Sequence, residues 1–306
     1  MQPHITLLRS ALAAALCVML AAMAPIAAAA QYTSLFVLGD SLSDTGNLST
    51  GTFGLVPGPS YWNGRFSDGP VYAEYLAADL GLAAPAPSLT GGQNYAWGGA
   101  KIASGAVPPS LGAQAGLLLL NEGGTLDPGA LYTVWGGAND VLDLVTAAPS
   151  AATAQAAING VIGDLMGILD ELSSAGAAQF LVPNLPDLSL TPAHFGNPLA
   201  ADLSDYFNAA LADALQQSTL QVSLFDTYSV LNSQVSAFTS PFEPCIALSS
   251  CEGHLFFDGL HPTTAAHEIL AGAMHAQLTA VPVPGAIGLF GSAIAATVWL
   301  GKRRRG

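Results

Sequence analysis

The sequence predicts an α/β fold, a parallel sheet covered by helices on both faces, and three observations predict it. Short apolar runs stop abruptly at Gly or Pro, as buried strands do. Segments with helical apolar spacing alternate with them, the pattern of strands linked by crossover helices. The stretch from 31 to 280 carries this alternation without an internal repeat, a length that suits one domain with a sizeable core.

The first strand is Leu35 to Leu38, broken at Gly39. A Gly/Pro-rich loop from Gly51 to Tyr61 follows, then Trp62-Asn63-Gly64-Arg65-Phe66-Ser67-Asp68-Gly69-Pro70. A helix is predicted from near Pro70, a residue tolerated in a first helical turn, to Leu80. Gly91 to Gly99 reads as loop after a short strand candidate. Leu131 to Trp135 is the second clear strand, cut off by Gly136-Gly137. From Ala151 to Ser174 the spacing of Ile158, Ile162, Leu165, Ile168, Leu169 and Leu172 is helical, and Gly176 suits its end. Gln179 to Val182, halted by Pro183, and Gln221 to Phe225 are the remaining strands. Helices are predicted over Tyr206 to Leu215 and from about Thr263 to Leu278, and 233–260 is long and irregular.

Both ends carry export signals. Residues 1–30 hold one cation, Arg9, an Ala/Leu-rich run, and Ala28-Ala29-Ala30 at a small-residue cleavage site, which reads as a secretory signal. At the other end Val281-Pro282-Val283-Pro284 leads into an apolar stretch from Gly285 to Gly301, closed by Lys302-Arg303-Arg304-Arg305. That stretch is at the short end of what spans a bilayer, and its basic cluster belongs on the cytoplasmic side. Residues 281–306 resemble the PEP-CTERM sorting signals of Gram-negative bacteria, with Val283-Pro284-Gly285 standing where the family's Pro-Glu-Pro usually stands. The resemblance implies an exosortase-type processing enzyme as partner. Without processing the tail is a single-pass membrane tether. The expected location is therefore extracellular, cell-surface or periplasmic.

All 21 acids but only Arg65 and Lys101 among the seven cations fall within 31–280, a formal balance of −19. No phosphate-tracking basic stripe exists, so nucleic acid is excluded as a partner. Anionic membrane surfaces are disfavoured for the same reason. Cys17 belongs to the leader, which leaves Cys245 and Cys251 as an even pair. In an oxidising compartment they predict a disulfide contributing about 2 kcal/mol by chain-entropy reasoning.

The candidate chemistry lies at two distant points. Gly39-Asp40-Ser41-Leu42-Ser43-Asp44-Thr45-Gly46-Asn47 puts a hydroxyl, Ser41, at a strand's carboxyl end, where open α/β sheets build their sites. Asp258-Gly259-Leu260-His261-Pro262 lets one turn present a carboxylate and an imidazole together. These are the parts of a nucleophile, a general base and a base-orienter. No Gly-x-Ser-x-Gly elbow occurs, which argues against the α/β-hydrolase arrangement. Oxyanion donors are available from Gly136-Gly137-Ala138-Asn139-Asp140, through the Asn139 amide, and from the backbone of Asn94-Tyr95-Ala96-Trp97-Gly98-Gly99-Ala100. One such donor is worth about 3 kcal/mol in a transition state.

In order and approximate spacing, these four segments resemble the blocks of the GDSL family, also called SGNH hydrolases. The likeness covers most of 33–278, including Asn63 to Pro70 and Val182-Pro183-Asn184-Leu185-Pro186-Asp187. It implies Ser41 as nucleophile, with Asp258 and His261 completing a triad. It implies Asn139, the Ser41 N–H and Gly99 as oxyanion donors, with Gly98 the alternative glycine. It implies a flavodoxin-like α/β/α sandwich, and hydrolysis of carboxylic esters of lipids, acylglycerols or acetylated sugars without metal or organic cofactor. Two other readings are carried: an exopolysaccharide O-deacetylase, and a surface matrix or carbohydrate-binding protein with a vestigial site.

Several residues carry plainer readings. Ser43 and Asp44 are turn-formers; Asp140 either supports Asn139 or caps the next segment. His267, beside Glu268, reads as part of a solvated helix face and not as a zinc box. His254 lies close to the disulfide loop and to the Asp258–His261 turn, which makes it a candidate substrate contact. Trp62, Trp97, Trp135, Phe256 and Phe257 either line an acyl pocket or pack in the core.

Overall fold

Four short strands pair in parallel, in the order in which they occur in the chain: β1 (Leu35–Gly39), β2 (Leu131–Trp135), β3 (Gln179–Pro183) and β4 (Val222–Phe225). The register sets Leu35 opposite Leu131, Leu131 opposite Gln179, and Phe180 opposite Val222. The structure, a computed structural model, describes residues 32–280; the predicted leader and the segment 281–306 lie outside the described residues.

The alternation of side chains along the strands builds two cores, one on each face of the sheet. Phe36, Leu38, Tyr132, Val134, Phe180 and Val182 face one layer of helices. That layer comprises α3 (Leu111–Asn121), α4 (Ala138–Ala147), α5 (Ala151–Ser174) and α6 (Pro198–Gln217). Leu35, Val37, Leu131, Trp135, Leu181 and Phe225 face the other, made of α2 (Tyr72–Asp79), α7 (Thr227–Gln234) and α8 (Thr264–Thr279). A one-turn helix, α1 (Asn47–Gly51), follows the first strand's turn. The three-layer sandwich with a central parallel sheet is therefore the observed architecture.

The segment predicted as loop, Gly91 to Gly99, does more than connect. Gln93 to Trp97 runs along the free edge of β1: Val37 N–H donates to Gln93 O (3.0 Å), Tyr95 N–H to Val37 O (2.7 Å) and Trp97 N–H to Gly39 O (3.1 Å). It lies parallel to β1, paired at Val37 and Asn94. Chain order across the sheet thus reverses at β1, the switch-point geometry at whose strand ends α/β proteins place their sites.

Element boundaries shift where local chemistry overrides the apolar pattern. The helix predicted from Tyr206 begins at Pro198, because Asn197 caps it by accepting the N–H groups of Leu199 and Ala200. Helix α3, not predicted, starts at the Ser110 cap and buries Leu111, Ala115 and Leu118. Helices α4 and α7 were also absent from the sequence reading.

His267 is a correction. It is fully buried rather than on a solvated face, and neither ring nitrogen has a hydrogen-bond partner among the described residues. Its positions relative to Leu270, Ala271 and Met274 are i+3, i+4 and i+7, so it belongs to the apolar stripe of α8, while Glu268 turns outward. The ring stacks on Tyr72 at 6.4 Å. Burial, reinforced by the nearby His261, pushes its pKa down to about 3 from 6.5. The unfolded chain therefore binds a proton that the folded chain refuses, so between about pH 6.5 and 3 this residue removes stability as pH falls. Replacing it, His267→Leu, should flatten the loss of stability between pH 7 and 4. Denaturant titrations of both proteins across that range check this, and parallel curves would contradict it.

Candidate active site

The carboxyl end of β1 is held from two sides before the chain turns. Gln114 of α3 brackets Gly39: the Gly39 N–H donates to its Oε1 and its Nε2 donates to the Gly39 carbonyl, both at 2.9 Å. A side chain at Gly39 would approach Ser43 Oγ and the Trp135 carbonyl to 2.7 Å, so only glycine lets β1, β2 and the turn converge. The turn closes as Ser43 and Asp44 N–H groups donate to Asp40 O, and Leu42 N–H to Asp40 Oδ1. Ser41 sits at its tip.

Asp44 ties this turn to the loop across from it. Its Oδ1 accepts the N–H groups of Gly46 (2.7 Å) and Asn47 (2.6 Å), and its Oδ2 those of Leu48 (3.1 Å) and Gly98 (2.9 Å). The expected turn-former is thus also a bridge. Asn94 Nδ2 reaches the Ser43 carbonyl at 2.6 Å, and Asn47 Nδ2 donates to the carbonyls of Asn94 and Ala96. Because Gly98 gives its N–H to Asp44, Gly99 is the glycine of the pair whose N–H has no acceptor among the described residues. The Ser41 N–H likewise has none.

Asn139 enters from the neighbouring strand end. Gly137, with φ of 107°, makes the turn from β2 into α4, and a Cβ there would strike the Phe207 ring at 2.4 Å. Asn139 Nδ2 donates one proton to the Ala100 carbonyl at 2.9 Å, which fixes the amide and leaves its second proton for the cleft. Asp140 accepts the Ile102 N–H at 3.1 Å and so holds the Gly99–Ile102 loop to α4; burial pushes its carboxyl up to about 6. Asp40, buried beside Ser41, is also pushed up to about 6 by burial.

The distant turn closes on this edge. His261 Nε2 lies 2.8 Å from Ser41 Oγ, and His261 Nδ1 lies 2.7 Å from Asp258 Oδ2. A carboxylate only accepts, so Nδ1 carries the proton and Nε2 is left to accept from the serine hydroxyl. Asp258 Oδ1 caps its own turn by accepting the N–H groups of Leu260 (2.8 Å) and His261 (2.7 Å). Tyr61, 197 residues away, donates its hydroxyl to Asp258 Oδ2 at 2.7 Å. Burial opposes the Asp258 charge, but His261, Tyr61 and the His261 N–H outweigh it and hold the carboxyl well below the usual range. Burial and the adjacent Asp258 push the Tyr61 phenol up, so it remains a donor.

Aromatic rings screen this relay from water. Tyr61 meets Phe257 and Phe66 edge-on at 5.2 and 5.8 Å, and Phe66 lies 5.0 Å from the His261 ring. The 66–70 segment clamps the turn: Ser67 Oγ donates to the Pro262 carbonyl, and Asp68 Oδ1 accepts the Thr264 N–H. From the other side the Cys245–Cys251 disulfide forms, and Cys245 and Ile246 N–H groups donate to the Phe257 carbonyl.

Beside Ser41 and His261 opens a cleft of about 570 Å³, counting the solvent at its mouth. Leu42, Leu188, Leu190, Leu231, Leu255 and Phe256 line it, with Asn139 among its polar groups. Of the aromatic candidates Phe256 lines the cleft, Phe257 backs Tyr61, and Trp135 is core, its Nε1 donating to the Asn184 carbonyl. Trp62 stacks under Arg65, and Trp97 packs over Gly51. His254 is a brace, with Nδ1 2.9 Å from the Glu243 carbonyl. Among the described residues no cluster of His, Cys, Asp or Glu has the arrangement of a metal site.

Comparisons with known proteins identify the family and the fold. The family model for GDSL-like lipase/acylhydrolase matches residues 35–274, and the chain belongs to that family. Curated relatives include the thermolabile hemolysin of Vibrio parahaemolyticus, 27% identical over 80% of this chain and 63% of that protein. Another is Esterase EstA of Pseudomonas aeruginosa, 33% identical over 65% of this chain and 36% of that protein. The chain thus spans less than two thirds of the length of either relative. Among solved structures, the lipase Lip_vut3 from a goat rumen metagenome superposes with a TM-score of 0.51 at 15% identity, over 80% of this chain and 96% of that one, a likeness of fold.

Tyr61 is the site residue that the sequence reading missed. Removing its hydroxyl takes one charge-assisted hydrogen bond, about 1.5–3 kcal/mol, from the carboxylate that orients His261. Tyr61→Phe should lower kcat about tenfold or more while KM for a p-nitrophenyl ester changes little. Steady-state kinetics check it, and a loss confined to KM would assign Tyr61 to substrate binding instead.

Proposed function

We propose that this protein is an exported serine esterase that hydrolyses carboxylic esters bearing an apolar acyl group. The observation that carries the reading is the continuous relay of 2.8 and 2.7 Å from Ser41 Oγ through His261 to Asp258. In the proposed cycle His261 Nε2 takes the hydroxyl proton as Ser41 Oγ attacks the ester carbonyl. Asp258, held ionised, stabilises the imidazolium that results. The developing oxyanion is met by the N–H groups of Ser41 and Gly99 and by the free proton of Asn139 Nδ2. His261 then gives its proton to the departing alcohol, leaving an acyl group on Ser41. A water, deprotonated by the same imidazole, attacks that acyl-enzyme, and His261 returns the proton to Ser41 Oγ as the acid leaves. No step draws on a metal or an organic cofactor.

An acyl chain suits the cleft better than an acetylated sugar. Aliphatic side chains dominate its walls, whereas a sugar's hydroxyls need polar partners. Export rests on the N-terminal pattern of residues 1–30, and membrane association on the apolar C-terminal segment, both read from sequence.

Ser41→Ala should cost at least about 10³-fold in hydrolysis of p-nitrophenyl butyrate and abolish labelling by a fluorophosphonate probe. Turnover retained in a folded variant would remove Ser41 from the mechanism. Asn139→Ala should lower kcat by about 10²–10³. Across p-nitrophenyl esters lengthened from acetyl upward, kcat/KM should rise by about fourfold per methylene, the equivalent of about 0.8 kcal/mol, until the cleft is full. Best activity on acetate would favour the deacetylase reading.

A further inference from the structure

Most of the large apolar side chains that the fold leaves in water sit on arms rooted at the site; Leu89, Leu120 near the end of α3 and Leu248 in the disulfide loop lie apart from them. Phe53 and Leu55 are 95% and 79% exposed on the loop that runs into Tyr61, whose hydroxyl is on Asp258. Val107, 86% exposed, precedes Pro108, whose ring lies 3.6 Å from where a Gly99 Cβ would stand. Phe195, 58% exposed and tilted against Phe242 with ring centroids 4.5 Å apart, lies two residues after Ala193, whose N–H donates to the Gly259 carbonyl. The arms are thus attached at the acid, at the oxyanion glycine and at the acid–base turn. Phe53 is moreover held at φ of 55°, a region a bulky residue rarely enters, on a loop that projects its ring outward.

Charge singles out the same arms. The described domain carries 21 acids, yet 45–67, 80–121 and 188–201 contain none. The only cations there, Arg65 and Lys101, are already paired with Glu74 and Asp143. A neutral, apolar rim therefore stands on a strongly anionic body.

We infer that this rim docks on a lipid surface with net-neutral, zwitterionic headgroups and presents the cleft to acyl chains there. The inference rests on the acyl-ester reading above. The occupant must leave the cleft open to an acyl chain, which a second copy seated on the rim would seal, and two bodies of charge −19 repel. Aromatic and aliphatic tips among neutral residues suit the boundary between headgroups and acyl chains. The acids outside the rim turn the protein away from anionic surfaces.

The test uses residues 31–280, the span that carries both cores and the whole site, so that the apolar segment 285–301 cannot itself hold the protein on vesicles; its variants are the double change Phe53→Ser with Leu55→Ser, and Phe53→Trp. Expected for the double variant is unchanged turnover of dissolved p-nitrophenyl butyrate, with binding to phosphatidylcholine vesicles weakened about tenfold, the scale of two apolar side chains leaving the acyl boundary. In Phe53→Trp the added indole emission should shift to the blue on vesicles and be quenched by brominated phosphatidylcholine. Vesicles enriched in phosphatidylglycerol should bind less tightly at low salt, a difference that disappears at high salt. Vesicle binding by the double variant equal to that of the parent, or an indole that does not respond, overturns the docking surface while ester hydrolysis stands. A dimer in sedimentation that the double variant dissolves assigns the rim to self-association and overturns it also. If the parent fails to hydrolyse the dissolved ester, the esterase reading falls, and the inference with it.

Discussion

A single buried carboxylate, Asp44, holds together the two halves of the proposed oxyanion side. Four backbone N–H groups converge on it, three from the start of α1 and one from Gly98. Burial pushes the pKa of this carboxyl up, the four N–H groups oppose that by favouring its charged form, and they join segments more than fifty residues apart. The consequence for Gly99 is indirect but definite. With Gly98 N–H committed to Asp44, the next peptide is oriented by its neighbour, and the Ser41 turn and the Gly99 turn are fixed relative to each other before any substrate arrives. Preorganisation of that kind is what makes donors effective in a transition state.

The other side of the site is assembled by a different device. Asp258 and His261 belong to a segment with little regular structure, so their position comes from clamps. The 66–70 segment holds Pro262 and Thr264, the Cys245 loop holds Phe257, and Tyr61 holds Asp258 itself. The clamps from Tyr61 and the 66–70 segment each span more than 190 positions, the one from the Cys245 loop only about twelve. Loss of one clamp should loosen the His261 turn while leaving the sheet, held by its own ladder, in place.

Much of this was legible in the sequence because it is local. Strands ended by glycine or proline fell where expected, and the motif around Ser41 placed it at a strand's carboxyl end. The three-residue separation of Asp258 and His261 pointed to a shared turn, which the structure contains. What escaped was set by partners distant in the chain. Tyr61 lies in a Gly/Pro-rich loop with no periodicity, and nothing near it signals a carboxylate 197 positions later. Gln114 brackets Gly39 from an unpredicted helix whose apolar residues run almost unbroken, so its face had no contrast to reveal it. His267 was misread for the opposite reason: the stripe that includes it was present, but the polarity of imidazole was given more weight than its position.

Part of the cleft wall comes from residues beside the reacting groups, such as Leu42 and Phe256, and part from elsewhere in the chain. Ser41 and Asn139 stand on strand ends embedded in two cores, whereas Leu188, Leu190, Leu231 and Leu255 project from connections and a peripheral helix. Leu188, Leu231 and Leu255 are buried in the cores as well as facing the cleft, whereas Leu190 is only partly buried and is the lining position freest to change. In evolutionary terms, selectivity has room to drift at that position, so that one backbone can serve more than one diet.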